Sequence, residues 1–292
     1  MRKMGKLLAI LLVIVVYGAL MLVGDVKQLP PLGWVAGLSL LTLGGYFFRG
    51  LRWKILLNSQ GMKIGMWQAV KTYVAGLAFI VTPGKMGEVV KAELMKDKFG
   101  FRRKGVAFLV VIERIMDVLG LGLIGLVGAA GVATGYLKHM FLVVAGLAGV
   151  GIVAYLFRRK IKWFESELEK IGDVKLIVVG LVLSVFAWGF EVCELLIVSH
   201  LMGFPLGVFQ TMFIFTAALI LGNLLMTPGG VGAAEAGMVG LLIGYGMDKS
   251  SASLATLTVR LTTFWFGFML GAICWLLVSR QTPAGQVERD SK

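Results

Sequence analysis

The sequence predicts an all-α, polytopic integral membrane protein with about six full spans and two re-entrant helical hairpins arranged as an inverted repeat. Three observations carry this expectation. Of the 292 residues, 58% are hydrophobic and 15% charged, and the mean hydropathy is +0.87; a soluble domain carries about 25% charged residues. Five runs without Lys, Arg, Asp or Glu (residues 7–24, 28–48, 118–137, 139–157 and 261–279) are 18 to 21 residues long, close to the roughly 20 that a helix needs to cross the hydrocarbon layer. Finally, Thr-Pro-Gly interrupts apolar sequence twice, in TPGKMGEVVK from Thr82 and in TPGGVGAAEAG from Thr227.

The elements follow in order along the chain. Residues 1–25 resemble a signal peptide, but no small-x-small cleavage site follows the long apolar stretch, so they read as an uncleaved first span. A second span covers about 31–57. Residues 65–82 then enter the bilayer, turn at Pro83-Gly84 and return, because KMGEVVKAELMKDK is cytoplasmic by charge. Spans over 118–137 and 139–157 come next. RRKIKWFESELEK, residues 158–170, fits a short interfacial helix with Trp163, Phe164, Leu168 and Ile171 as its apolar face. KDKFGFRRK, residues 96–104, reads as a basic loop against phosphate headgroups. A span over 176–201 is followed by 206–227 dipping in and 229–246 returning, and 250–279 closes the bundle. Residues 206–227 also have the length to cross completely, with TPGG as an ordinary turn. One domain, residues 1–280, is expected, with repeat halves at about 31–135 and 174–279 and a short cytoplasmic tail at 281–292.

The formal charge of +13 encodes orientation. With the N-terminus inside, the predicted cytoplasmic segments hold 23 of the 29 Lys and Arg, against Lys27, Lys138 and Lys249 outside; cytoplasmic loops of membrane proteins are rich in Lys and Arg. Both termini are therefore expected in the cytoplasm, and nucleic acid is not an expected partner. The two hairpins would face each other from opposite leaflets. Arg49 precedes Thr82 by 33 residues, as Glu194 precedes Thr227, and Arg114 and Arg260 follow their Thr by 32 and 33. Oppositely oriented span–hairpin–span units with matching breaks are a transporter signature.

Backbone broken within a bilayer survives only if it is buried in protein or lines a wet cavity. Pro83, Gly84, Gly87, Pro228, Gly229, Gly230 and Gly232 make the breaks, and glycine lets a polar group approach the main chain. A helix starting after each break would aim its positive end at the cavity, which suits phosphate or carboxylate. Charged residues at the same depth are Arg49, Glu113, Arg114, Asp117, Glu191, Glu194, Glu235 and Arg260, with Arg52 and Glu88 beside them. Each costs ~2.5–3.5 kcal/mol at the centre of an isolated helix, so most must face inward. Arg114 and Asp117 fit a plain structural pair as well as a functional one. Glu191 and Glu194 repel unless an arginine comes between them. TVRLTTFW, residues 258–265, is an odd polar stretch for a final span. Three cations against five anions do not define the headgroup.

Catalysis finds little support. His139 and His200 are the only histidines and fall near outer ends of spans. EVCE, residues 191–194, lacks the His ligands at depth that a metal site wants, and no Ser-His-Asp set assembles. Cys193 and Cys274 read as inert apolar residues. No cofactor or metal is expected.

RGLRWKILL from Arg49, TPGKMGEVVKAELM, VIERIMDVLGL, TPGGVGAAEAGMVGLLIGYG and VRLTTFWFGFMLGAI occur in an order that resembles the lysylphosphatidylglycerol synthase transmembrane-region family, also called the flippase-like domain family, over roughly residues 7–278. The resemblance implies a polytopic lipid-handling protein of a prokaryotic cell membrane. It carries over to Arg49, Arg52, Pro83, Gly84, Gly87, Glu88, Glu113, Arg114, Pro228, Gly229, Gly230, Gly232, Glu235 and Arg260 as motif positions. The chain ends about a dozen residues after its last span, so the soluble aminoacyl-transfer domain is expected to be absent. Two functions then fit. One is a lipid translocase that takes an anionic or aminoacylated phospholipid, or a polyprenyl-phosphate lipid, through a midplane cavity whose lining adds Glu191 and Glu194. The other is a non-transporting membrane partner of a lipid or glycan enzyme. A homodimer is one assembly the sequence allows.

Overall fold

A computed structural model describes residues 28–82, 86–132, 174–225 and 227–280, with scattered positions before residue 28. All regular elements among the described residues are helical. α1 is Leu32–Ser59; α2 is Met66–Gly76, extended by a 3-10 turn at Leu77–Phe79; α3 is Val90–Phe99, entered through a 3-10 turn at Met86–Val89. α4 is Arg103–Val132, α5 Val174–Leu201, α6 Val208–Leu224 and α7 Ala233–Gly244. The last helix, α8, runs Lys249–Ser279 with a π turn at Leu261–Trp265.

Three of these helices, α4, α5 and α8, are long and apolar enough to cross a membrane. α1 has comparable length at 28 residues but carries Arg49, Arg52 and Lys54. Large apolar side chains such as Phe186, Val182, Ile273 and Leu276 are exposed on these helices. Such an outer surface suits acyl chains, not water. The chain is thus a multi-pass membrane protein. The expected first span, the span at 139–157, the interfacial helix at 158–170, Pro83, Gly84 and the tail at 281–292 lie outside the described residues.

Both Thr-Pro-Gly strings interrupt helical hairpins. Ala75 and Leu94 share one small apolar cluster, and Gly76 lies against the Lys91 side chain, so α2 and α3 run antiparallel. Gly222 lies against Ala234, and Gly237 against Ala218 and Leu221, so α6 and α7 do the same. At 11, 10, 17 and 12 residues, with a rise of about 1.5 Å per residue, each falls short of the hydrocarbon thickness of about 30 Å. Gly87 is required at the first break: its N–H donates to Thr82 Oγ1 at 2.7 Å, and a Cβ there would sit 2.9 Å from Phe79 O.

Two apolar cores flank a polar centre. One joins Trp53, Leu56, Tyr73, Phe108 and Met116 from the first hairpin side with Val231 and Phe264. The other joins Leu121, Trp188, Val192, Phe215, Met238 and Val259. Close approach uses small residues: Gly128 on α4 faces the Phe213 backbone of α6, and Gly271 on α8 faces Leu77 and Ala78. Without a hydrophobic drive between helices in lipid, such backbone proximity is what packing gains from. Asp248 caps α8 by accepting from Ser251 N at 2.9 Å, and hydrogen bonds from Ser251 hold its carboxyl below the usual range.

The structure corrects the basic-loop expectation. Lys96–Phe99 completes α3, Gly100 closes it with φ +70, and α4 begins at Arg103. The residues between helices form a tight turn because glycine adopts the left-handed conformation a helix end needs. Arg103 pairs with Glu93, and Lys98 Nζ donates to Ser279 O at 2.7 Å, tying that turn to the end of α8. Lys91 and Arg52, counted among cytoplasmic loop charges, are both fully buried.

Candidate functional site: a polar cavity between two helix breaks

The two breaks meet. A Cβ built on Gly229 would lie 3.4 Å from Ile80 O, close to Thr82 of the first break. Gly229, Gly230 and Gly232 all have φ between +66 and +90, so the second loop needs glycine at each. Between the breaks lies a cavity of about 60 Å³, lined by Leu77, Ile80 and Glu88 from the first hairpin side and by Asn223, Gly229, Gly230 and Ala234 from the second. α1 contributes Tyr46 and Arg49, α4 Arg114 and Asp117, α5 Trp188 and Glu191, and α8 Arg260, Thr263 and Phe264.

Charge in the lining is balanced: three arginines face three carboxylates. Arg49 Nη1 pairs with Glu191 at 2.7 Å, and its guanidinium lies 4.3 Å over the Trp188 ring. Its Nε and Nη2 are buried with no hydrogen-bond partner among the described residues. A planar guanidinium offers five donors in a fixed fork, so this one still presents donors beside the cavity. Arg260 Nε pairs with Glu235 at 2.7 Å and packs over Phe264. Arg114 is the most exposed of the three, at 23% of its side chain, and it meets Glu88 and Asp117 at 3.2 and 3.0 Å. The Arg114–Asp117 pair is real, and it also faces the cavity.

Behind this wall lies a second group that the cavity does not reach. Arg52 Nη1 holds Asp117 at 2.6 Å and Ser184, and its Nη2 meets Glu113 at 3.4 Å. Lys91 pairs with Glu113 at 2.6 Å and Glu88 at 3.2 Å, and it sits over the rings of Trp53 and Tyr73. Arg52, Glu113 and Lys91 are fully buried. Their geometry fastens α1, α3, α4 and α5 together.

Of the sequence candidates, the cavity gathers Arg49, Glu88, Arg114, Glu191, Gly229, Gly230 and Arg260. Arg52, Gly87, Glu113, Glu194, Pro228, Gly232 and Glu235 stand behind or beside it. No arginine separates Glu191 from Glu194: Arg49 takes Glu191 alone, while Glu194 turns to hydroxyls of Thr42 and Thr262. Nor does the start of α7 offer an empty positive end. Glu235 accepts from Gly232 N at 2.6 Å and so caps that helix with its own carboxylate, a placement the helix dipole favours. Sequence reasoning missed Lys91, Tyr46, Tyr73 and Trp188. Lys91 had one readable signal: it is three residues after Glu88 and flanked by Val90, Ala92, Leu94 and Met95.

Comparisons with known proteins show the family. Over 92 residues the chain is 33% identical to a "UPF0104 membrane protein" of Methanothermobacter thermautotrophicus (strain Delta H), a match covering 32% of this chain and 28% of that relative. Residues 5–271 match the family described as "Lysylphosphatidylglycerol synthase TM region". The paired helix breaks around a charged cavity thus belong to a chain that is a member of the lysylphosphatidylglycerol synthase transmembrane-region family.

Proposed function

We propose that the chain is a flippase-like lipid translocase, in which a polar or charged headgroup crosses between the two breaks while its tails stay in the bilayer. The observation that carries this reading is one polar cavity lined by Ile80 and Glu88, on either side of the first break, and by Gly229 and Gly230 of the second, with unused donors of Arg49 beside it. The short hairpin helices support re-entrant insertion from opposite leaflets, and the matched spacing of Arg49 and Glu194 to the two breaks supports an inverted repeat. Arg49, Arg114 and Arg260 would hold an anionic group such as a phosphate, and Glu88, Asp117 and Glu191 would hold an amine. Aminoacylated phospholipid, anionic phospholipid and polyprenyl-phosphate lipid all present such groups. The uneven distribution of Lys and Arg supports a cytoplasmic location for both termini.

The present cavity, about 60 Å³, holds a few waters and no whole lipid headgroup. Translocation therefore requires the hairpins to part toward one leaflet at a time. That small size is also what favours the second reading, a non-transporting membrane partner of a lipid or glycan enzyme. Reconstitution separates the two. Purified chain in vesicles carrying acyl-labelled phosphatidylglycerol, lysyl-phosphatidylglycerol or polyprenyl phosphate is expected to speed leaflet exchange at least tenfold over empty vesicles for one of them. Equal rates for all three would leave the partner reading.

A further inference from the structure

Glu194 is fully buried on α5, yet no cation approaches it among the described residues. Its Oε1 accepts from Thr42 Oγ1 of α1, and its Oε2 from Thr262 Oγ1 of α8 at 2.5 Å. Every other carboxylate around the cavity has a basic partner. The titratable groups that feel its charge are Glu191 and Cys193 on its own helix and Tyr46 on α1; the arginines on the helices of Thr42 and Thr262 are Arg49 and Arg52 on α1 and Arg260 on α8. Arg49 is taken by Glu191, Arg260 pairs with Glu235, and Tyr46 donates to Thr263 O at 2.7 Å.

Hydrogen counting makes the site unusual. Thr42 Oγ1 touches Glu194 Oε1, Thr262 O at 2.9 Å and Leu38 O at 3.5 Å. Thr262 Oγ1 touches Glu194 Oε2, Thr258 O at 3.1 Å and Val259 O at 3.2 Å. All six neighbours are acceptors while the carboxyl is ionised, and each hydroxyl carries one proton. Two hydroxyl protons are then shared between the carboxylate and helix carbonyls, around a buried charge that no cation offsets among the described residues, which is an expensive arrangement. One proton on Glu194 removes the charge and turns an acceptor into a donor. A threonine hydroxyl receiving it is released to bond the backbone of the π turn. That turn, Leu261–Trp265, lies between Glu194 and the cavity: Thr263 and Phe264 line the cavity, and Arg260 immediately precedes the turn. π turns inside α-helices occur often at functional sites.

We propose that Glu194, with Thr42 and Thr262, is a proton-binding site, and that its loading and unloading through the π turn drives translocation. The proton comes from water on one side, forms an O–H bond on the Glu194 carboxyl, and leaves to water on the other side; one proton moves per headgroup. This rests on the translocase reading above.

The test uses full-length protein in phosphatidylcholine vesicles containing acyl-labelled phosphatidylglycerol or lysyl-phosphatidylglycerol, with the membrane potential clamped. At equal pH, wild type exchanges label between leaflets. A one-unit pH gradient is expected to shift the steady-state leaflet ratio by up to about tenfold, the limit for one proton per lipid. Glu194→Gln, a fixed neutral side chain that can neither load nor unload a proton, loses the response to the gradient, and its leaflet ratio stays near one. Thr42→Val and Thr262→Val each remove a donor to the ionised form, so they move the midpoint of the pH–rate profile upward; a purely structural role would leave it in place. The proposal is overturned if wild type exchanges lipid with a ratio indifferent to the gradient, if Glu194→Gln responds as wild type does, or if the midpoint stays fixed in both threonine variants. Failure of wild type to exchange these two lipids and labelled polyprenyl phosphate overturns the translocase reading and this one together.

Discussion

Arg49→Ala abolishes leaflet exchange, and Arg49→Lys lowers it by about 10- to 100-fold while the protein remains folded. The reasoning rests on geometry more than charge. Arg49 places one nitrogen on Glu191 and stacks on Trp188, which leaves Nε and Nη2 for a headgroup. Lysine supplies a point charge to Glu191 but no planar fork. A hydrogen bond to a charged group contributes about 1.5–3 kcal/mol, which sets the expected loss. Removing the arginine leaves Glu191 without its cation, but that side chain is 10% exposed beside the cavity, where water or a proton compensates. The check is exchange in vesicles beside gel filtration of the same preparations. Wild-type exchange in both variants would remove Arg49 from the headgroup path.

Arg52→Ala produces the opposite pattern, a loss of stability with no direct role in the cavity. Arg52 is fully buried and holds Asp117, Ser184 and Glu113 from α4 and α5. Deleting one member of a buried ion-pair group costs about 3–5 kcal/mol, because its partners stay buried. Glu113 keeps Lys91, while Asp117 keeps only the partly exposed Arg114. At about 2–4 °C per kcal/mol for a chain of this size, Tm is expected to fall by roughly 10 °C in lipid nanodiscs, followed by tryptophan fluorescence. A fall of less than about 2 °C would mean that the cluster does not fasten the helices. Arg49 and Arg52 are one turn apart on the same helix, yet one faces the cavity and the other the packed interior.

That contrast marks what the sequence could reveal. Composition and uncharged runs made the membrane class readable, because a bilayer imposes length and hydropathy on every helix crossing it. The Thr-Pro-Gly strings revealed both breaks, since proline and glycine interrupt helices for local reasons. Energetic cost singled out the charged residues. Which arginine meets which carboxylate was not readable, because Arg49–Glu191 and Arg260–Glu235 join different helices and depend on their rotation. Lys91 was read as a loop charge because it falls in the basic segment 85–104; burial between Trp53, Tyr73, Glu88 and Glu113 is a tertiary fact. Thr42 gave no signal, and TVRLTTFW stood out without singling out Thr262, since hydroxyls inside helices usually bond their own backbone.

The central claim is that the space between the breaks is wet and reached in turn from each leaflet. Thr263→Cys, placed on the cavity wall in a Cys193→Ser/Cys274→Ser background, tests it with a small charged methanethiosulfonate added from either side of oriented vesicles. Ile273→Cys, on the exposed apolar surface of the same helix, is the control. Modification of Thr263→Cys from both sides, at least tenfold faster than the control and slowed by the transported lipid, is the predicted result. Labelling no faster than at Ile273→Cys would contradict it.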